Sequence, residues 1–418
     1  MVDKPFVSFD GNLWWLYRPA MRQDTTGSQW TLTLGERHDF ADVYVASNGT
    51  DTAATINAKL ALGRHLVLTP GIYKLEEPLK VEHTDQVVLG LGLPTLIPMH
   101  GEPAIQVGDV DGVRVAGILL QAGSTPSPSL LEWGTGAQAH HVDDHFNPGV
   151  LSDVFARVGG PDDFETAAEV MVHVRSGNVI GDNLWLWRAD HSVSGLVMNS
   201  ANNCSHGLVV DGDGVTMYAL AVEHTLADMT VWNGDDGKTF FYQSELPCKC
   251  HPLSCLPACL CLADGLVTER TRALGWCLPP FLPSFLPSSD DVTQQNWGDK
   301  GFVGYRVAND VSAHEGYGIG VYHYFRDFPV VTTTGIVAPD TATFVSPLGV
   351  FLNGQGTMQH ILNHQGGATG PSDPSDTPGA HVQWLCSTDQ DCDLFFAQVI
   401  EGSGYNKVRA STAHERVI

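Results

Sequence analysis

Apolar positions along the chain fall in short runs rich in Val, Ile, Leu and aromatic residues, cut by Gly, Asn and Asp, and long stretches of helical periodicity are almost absent. That is the pattern of an all-β protein built from short strands and tight turns. Three stretches align without gaps: 111-DGVRVAGILLQ-121, 177-GNVIGDNLWLW-187 and 213-DGVTMYALAVE-223. Each opens on a turn pair, places Val third, breaks at a small or polar residue and closes on an apolar run. Further runs follow at similar spacing, among them TFFYQSEL, GFVGYRVAND and GIGVYHYF. Self-similar strands without intervening helices predict a parallel β-helix, a single-stranded solenoid in which each coil stacks its strands on the previous one. The competing architectures are a β-sandwich or a propeller. Sandwich strands alternate apolar and polar residues more strictly than VVLGLGL or VRVAGILL do. One helix is predicted near 51-DTAATINAKLALG-63, with Asp51 and Thr52 as N-terminal caps and Gly63 at its close, placed to cap the solenoid end.

Composition narrows the partners. The 418 residues carry 47 acidic and 22 basic side chains, a formal charge of −25. Such a field repels phosphate backbones and anionic lipid, so neither nucleic acid nor membrane is the expected partner, and neutral ligands fit best. No apolar run is long enough to span a membrane, and MVDKPFVSFDGN has no signal-peptide core. Six of the nine cysteines crowd into residues 248–277, which is no disulfide framework for the fold; Cys386 and Cys392 could pair in an oxidising compartment.

Candidate chemistry sits at two strand ends. Glu223 in AVEHTLADMTVWNG and Glu245 in FFYQSELP are 22 residues apart, about one coil, so both can project from one face of neighbouring coils. Carboxylates held close cannot both ionise freely, which leaves one suited to act as a general acid, and glycosidic cleavage uses paired carboxylates. Around them lie Trp185, Trp187, Asp190 and His191 in NLWLWRADH, then His224, and then His314, Glu315 and Tyr317 in AHEGYGIGVYHYF. Aromatic and hydrogen-bonding side chains on adjacent coils suit a carbohydrate groove. Taken singly, each Trp also reads as core and each His as structural. The cluster 140-HHVDDHF-146 raises metal binding but lacks separated ligand pairs and reads as an exposed loop. Asp211 and Asp213 in VVDGDGV read as turn residues, since the remaining ligands of a calcium loop are missing. No cofactor and no metal is expected.

The stretches NLWLWRADH, GLVVDGDGV, AVEHTLADMTVWNG and FFYQSELP, with LTPGIYKL, VVLGLGLPTLIP and SAHEGYGIGVYHYF, resemble glycoside hydrolase family 55, over residues 40 to 365 apart from one segment. The nearest likeness is to bacterial members labelled coagulation factor 5/8 type or discoidin-containing proteins. The resemblance implies right-handed β-helices of the pectate-lyase-like superfamily, inverting hydrolysis of β-1,3-glucan, Glu245 as proton donor and Glu223 as a supporting carboxylate. It also implies an extracellular setting. Against the family pattern, residues 1–40 look like the remnant of an upstream β-helix and linker, and an enzyme lacking that part would lack groups that position the attacking water. Two other readings share the fold: a polysaccharide lyase and a non-catalytic glycan-binding relative.

The resemblance breaks at residues 248–289, CKCHPLSCLPACLCLADGLVTERTRALGWCLPPFLPSFLPSS. Leu, Pro, Phe and Ser are encoded largely by pyrimidine-rich codons, as the tract before a eukaryotic 3′ splice site would be if translated. The segment therefore reads as a retained intron or a disordered insert, with a soft-metal loop or a disulfide-stapled lid as rivals. The expected domains are 1–40, a β-helix over 41–247 and 290–387, the insert, and a tail from 388.

Overall fold

The computed structural model describes residues 2–22, 35–137, 139–140, 146–160, 164–189, 201–247, 294–323, 330–352, 357–363, 380–386 and 406–409. Two large sheets dominate. One has nine strands, stacked from Leu79–Val81 through Ser127–Trp133, Ala168–Val174 and His206–Val210 to Thr357–Leu362. The other has fifteen and carries the long strands Arg114–Gln121, Gly149–Val158, Val179–Arg188, Thr216–Glu223, Gly237–Glu245 and His314–His323. From Arg114–Gln121 to His314–His323 in one stack, and from Ser127–Trp133 to His206–Val210 in the other, successive members pair in parallel and come from successive turns of the chain. This is a solenoid of stacked coils.

The long strands are bent, and the bend explains the break seen in the aligned repeats. Gly117, Asp153, Asn183, Ala219, Phe241, Gly318 and Ser346 all have φ between +50° and +68°. Strand register places them side by side in one ladder. A single left-handed residue turns the chain and shifts the in/out alternation by one. In the Val179–Arg188 strand Asp182 and Asn183 both face outward before Leu184 and Leu186 return to the interior. The fifteen-stranded sheet is thereby folded into two faces, and the nine-stranded sheet closes the third.

Side chains from all three faces fill the interior. Leu184, Leu186, Leu220, Val222, Ile319 and Val321 point into it from three of the coils, each at most 1% exposed. Burial of such residues is worth roughly 25 cal/mol per Å² of apolar surface, the main force holding coil on coil. The predicted helix is present as Ala53–Leu60: Thr52 caps it, forms a reciprocal capping box with Thr55, and Ala53, Ile56 and Leu60 are buried. At the amino end, the antiparallel strands Phe6–Phe9, Trp14–Pro19 and Gly35–Asp39 lie outside the solenoid. There Leu16 covers Val43, Val67, Val87, Leu89 and Ala116.

Candidate active site

Past the corner, the long strands present alternate residues outward. One outward row runs Gln121, Arg157, Trp187, Glu223, Glu245, Tyr322. A parallel row two residues earlier runs Phe155, Trp185, Ala221, Gln243, Gly320. Glu223 and Glu245 are direct cross-strand partners. Their coil spacing thus becomes a lateral separation of about 4.8 Å between backbones.

His224 joins them through a turn. Its φ of +61° ends the strand sharply, its N–H donates to the Glu245 carbonyl at 2.9 Å, and its ring is buried with Nε2 3.8 Å from Glu245 Oε1. One carboxylate oxygen from each glutamate and one imidazole nitrogen lie within 4.8 Å of one another. Both glutamates remain partly exposed while the imidazole is covered, so the pair faces solvent from a fixed support. These three donors also have the chemistry of a divalent-metal site.

Arg188 holds that turn from behind. It is 3% exposed and donates to the carbonyls of Ala201 (2.6 Å), Asn202 (2.9 Å) and His224 (3.2 Å). A single guanidinium therefore ties the loop of its own coil to the turn that follows Glu223.

The sequence-predicted residues divide into three groups. Glu223, His224, Glu245, Trp187 and Trp185 come together: the two indoles stack with centroids 5.3 Å apart, Trp187 is the cross-strand neighbour of Glu223, and Trp185 is 44% exposed. Glu315 and Tyr317 lie on the far side of the corner. Tyr317 pairs with Phe240, five residues before Glu245 and roughly 16 Å away along the strand. There Glu315 accepts from Lys238 at 3.0 Å and from the Tyr317 hydroxyl at 2.8 Å, and these bonds hold its carboxyl below the usual range. His314 faces the interior, 2% exposed, with Nε2 2.7 Å from the Tyr305 hydroxyl; burial pulls its pKa down to about 4. Asp190 and His191 fall outside the described residues, as do residues 141–145 and the whole 248–289 segment. Cys386 lies in the strand Ala380–Cys386, and Cys392 is also outside.

Asp211 and Asp213 are turn residues tied to neighbouring coils. Asp211 bonds His173 at 2.7 Å and Asn233 at 2.7 Å; Asp213 bonds His140 at 2.6 Å and accepts from the Asp235 N–H at 2.8 Å. Three residues beside the pair were not anticipated: Gln243, Tyr322 and Arg188. The first was legible as the outward position two before Glu245. Tyr322 needed the register, and Arg188 needed the loop.

Residues 43–245 match the LAM55 pectate lyase-like domain. An exo-β-1,3-glucanase of Streptomyces sp. (strain SirexAA-E / ActE) is 35% identical over 373 residues, 88% of this chain and 54% of that protein. The solved structure of sacteLam55A from Streptomyces sp. SirexAA-E superposes with a TM-score of 0.74 at 32% identity, covering 91% of this chain and 62% of that one. A glutamate-to-alanine variant of sacteLam55A in complex with glucose gives a TM-score of 0.71 at 32% identity, covering 91% and 61%. The chain spans about half the length of that exo-β-1,3-glucanase.

Proposed function

We propose that the chain, whose residues 43–245 match the LAM55 pectate lyase-like domain, hydrolyses β-1,3-glucan with Glu245 as general acid and Glu223 and His224 as its supporting groups. The observation that carries this is the registered Glu223–Glu245 pair, with His224 beneath and the stacked Trp185–Trp187 pair alongside. Carboxylates supply the proton for the leaving oxygen, and exposed indoles suit the apolar faces of sugar rings.

The spacing of the two glutamates supports a reading in which their tasks differ. An inverting acid and base stand about 6.5–9.5 Å apart so that water fits between them. Glu223 and Glu245 approach within 4.8 Å. Glu223 is therefore too near Glu245 to serve as the base of an inverting pair. Its role in this reading is to hold charge and orientation beside Glu245, and the group that aligns the attacking water lies elsewhere. The chemistry needs no cofactor. A lyase would require a basic residue to take a proton; the nearby Arg188 is turned inward onto three carbonyls.

The same reading makes the solenoid a right-handed β-helix with Ala53–Leu60 as its end cap, divides the chain at 40, 247, 290 and 387, and places the protein outside the cell with neutral glucan as its partner. The decisive test is hydrolysis of laminarin, followed by proton NMR of the first-formed anomer. We expect the α-anomer from inversion, loss of roughly a hundred- to ten-thousandfold in kcat for Glu245→Gln, and activity that persists in EDTA. Unchanged turnover in Glu245→Gln would remove the assignment, and a β-anomer would make Glu223 a nucleophile instead.

A further inference from the structure

The corner ladder contains one residue that does not suit its position. Gly117, Asp153, Asn183, Ala219, Gly318 and Ser346 are glycine or carry short side chains, as expected where L-residues are disfavoured. Phe241 occupies the same left-handed conformation, φ +64°, with an aromatic ring that is 65% exposed. Both features oppose folding: bulky residues are strained at positive φ, and an exposed ring forgoes burial.

Its surroundings leave the ring accessible. The ladder neighbours of Phe241 are Ala219 on one side and Gly318 on the other, and neither has a side chain long enough to cover it. A Cβ built at Gly318 would meet nothing within 4 Å, which marks open space beside the ring. Phe241 also shares a strand with Glu245, four residues and roughly 13 Å away. Trp185 stands exposed on the same flank two coils back. An open aromatic face at this distance from a hydrolytic carboxylate fits a sugar ring of the same chain, not the one being cleaved. The protein's charge of −25 favours a neutral ring there.

We propose that Phe241 is a remote glucan contact, a platform on which a glucosyl unit of a long β-1,3-glucan packs while Glu245 addresses the scissile bond. This rests on the hydrolytic reading of the Glu223–Glu245 pair. It accounts for a strained, exposed aromatic residue at a position that favours Gly or Asn.

The test compares binding of laminarin and of laminaribiose by full-length Glu245→Gln, alone and combined with Phe241→Ala, Phe241→Leu or Phe241→Trp. We expect Phe241→Ala and Phe241→Leu to weaken laminarin binding about five- to tenfold, with laminaribiose unchanged and Phe241→Trp close to the parent. In the active protein, Phe241→Ala should raise KM for laminarin with kcat unaltered. Its thermal midpoint should not fall, which separates lost contact from lost fold. Equal laminarin binding with and without the ring overturns the proposal, as does equal loss for both ligands. If Glu245→Gln alone fails to bind laminarin, the hydrolytic reading falls first and this proposal with it.

Discussion

At the scale of single residues, the site is a set of side chains whose positions are imposed by backbone register. Glu223 and Glu245 were legible because a separation near one coil length places two strand-end carboxylates side by side. Arg188 was not, because its bonds to the described residues go to the carbonyl oxygens of Ala201, Asn202 and His224, and carbonyls have no signature in a sequence. Replacing it should be costly. Arg188→Met leaves three carbonyls without their donor and is expected to destabilise the protein by on the order of 3 kcal/mol in urea unfolding. Arg188→Lys, which keeps the charge but not the fork, should recover only part of that. A change under about 0.5 kcal/mol for Met would show that the His224 turn does not depend on it. Ala219 offers the opposite case: at φ +51° it carries a Cβ that the conformation disfavours. Ala219→Gly should raise stability by roughly 0.5 to 1 kcal/mol, since relief of strain exceeds the entropy lost by glycine. A fall in thermal midpoint would contradict this.

At the scale of elements, the corner decides what faces in and what faces out. The sequence showed the break in each repeat but not that a single left-handed residue reverses the alternation there. That is why His314, Glu315 and Tyr317 read as one cluster near the glutamates, when the strand sends His314 inward and carries the other two beyond the bend. The interior placement of His314 has a measurable consequence. Its pKa is about 4 when folded against an ordinary value of 6.5. Between those values the unfolded chain binds the additional proton, so stability is complete above about pH 6.5 and declines as pH falls towards 4. For a group this buried, the loss is on the order of 3 kcal/mol. His65, also depressed to about 4 by burial, adds in the same direction. His314→Gln keeps an acceptor for the Tyr305 hydroxyl and removes the titration. Its urea midpoint should therefore differ less between pH 7 and pH 4.5 than that of the parent, and an identical pH slope would reject the assignment.

At the scale of the whole molecule, the question is whether the solenoid needs residues 248–289. On one side of them the strand Gly237–Glu245 is fully registered, and Leu246 N–H donates to the Tyr322 carbonyl at 2.8 Å. On the other side, Tyr305–Val307 continues the nine-stranded stack from Thr230–Trp232. The coil before makes the same crossing from Glu223 to Thr230 in six residues. The present coil uses 59 residues between Glu245 and Tyr305, the helix Gln294–Asp299 among them. Joining Pro247 to Asp290 would leave 17, ample at about 3.3 Å per residue to cross one coil even with that helix retained. Loop-closure entropy also favours the shorter connection slightly, by about 1 kcal/mol. The shortened protein is therefore expected to keep its thermal midpoint and its laminarin binding. Loss of either would mean that the segment packs on the solenoid or reaches the Glu223–Glu245 face, and a lid over the carboxylate pair would then replace the intron as its explanation.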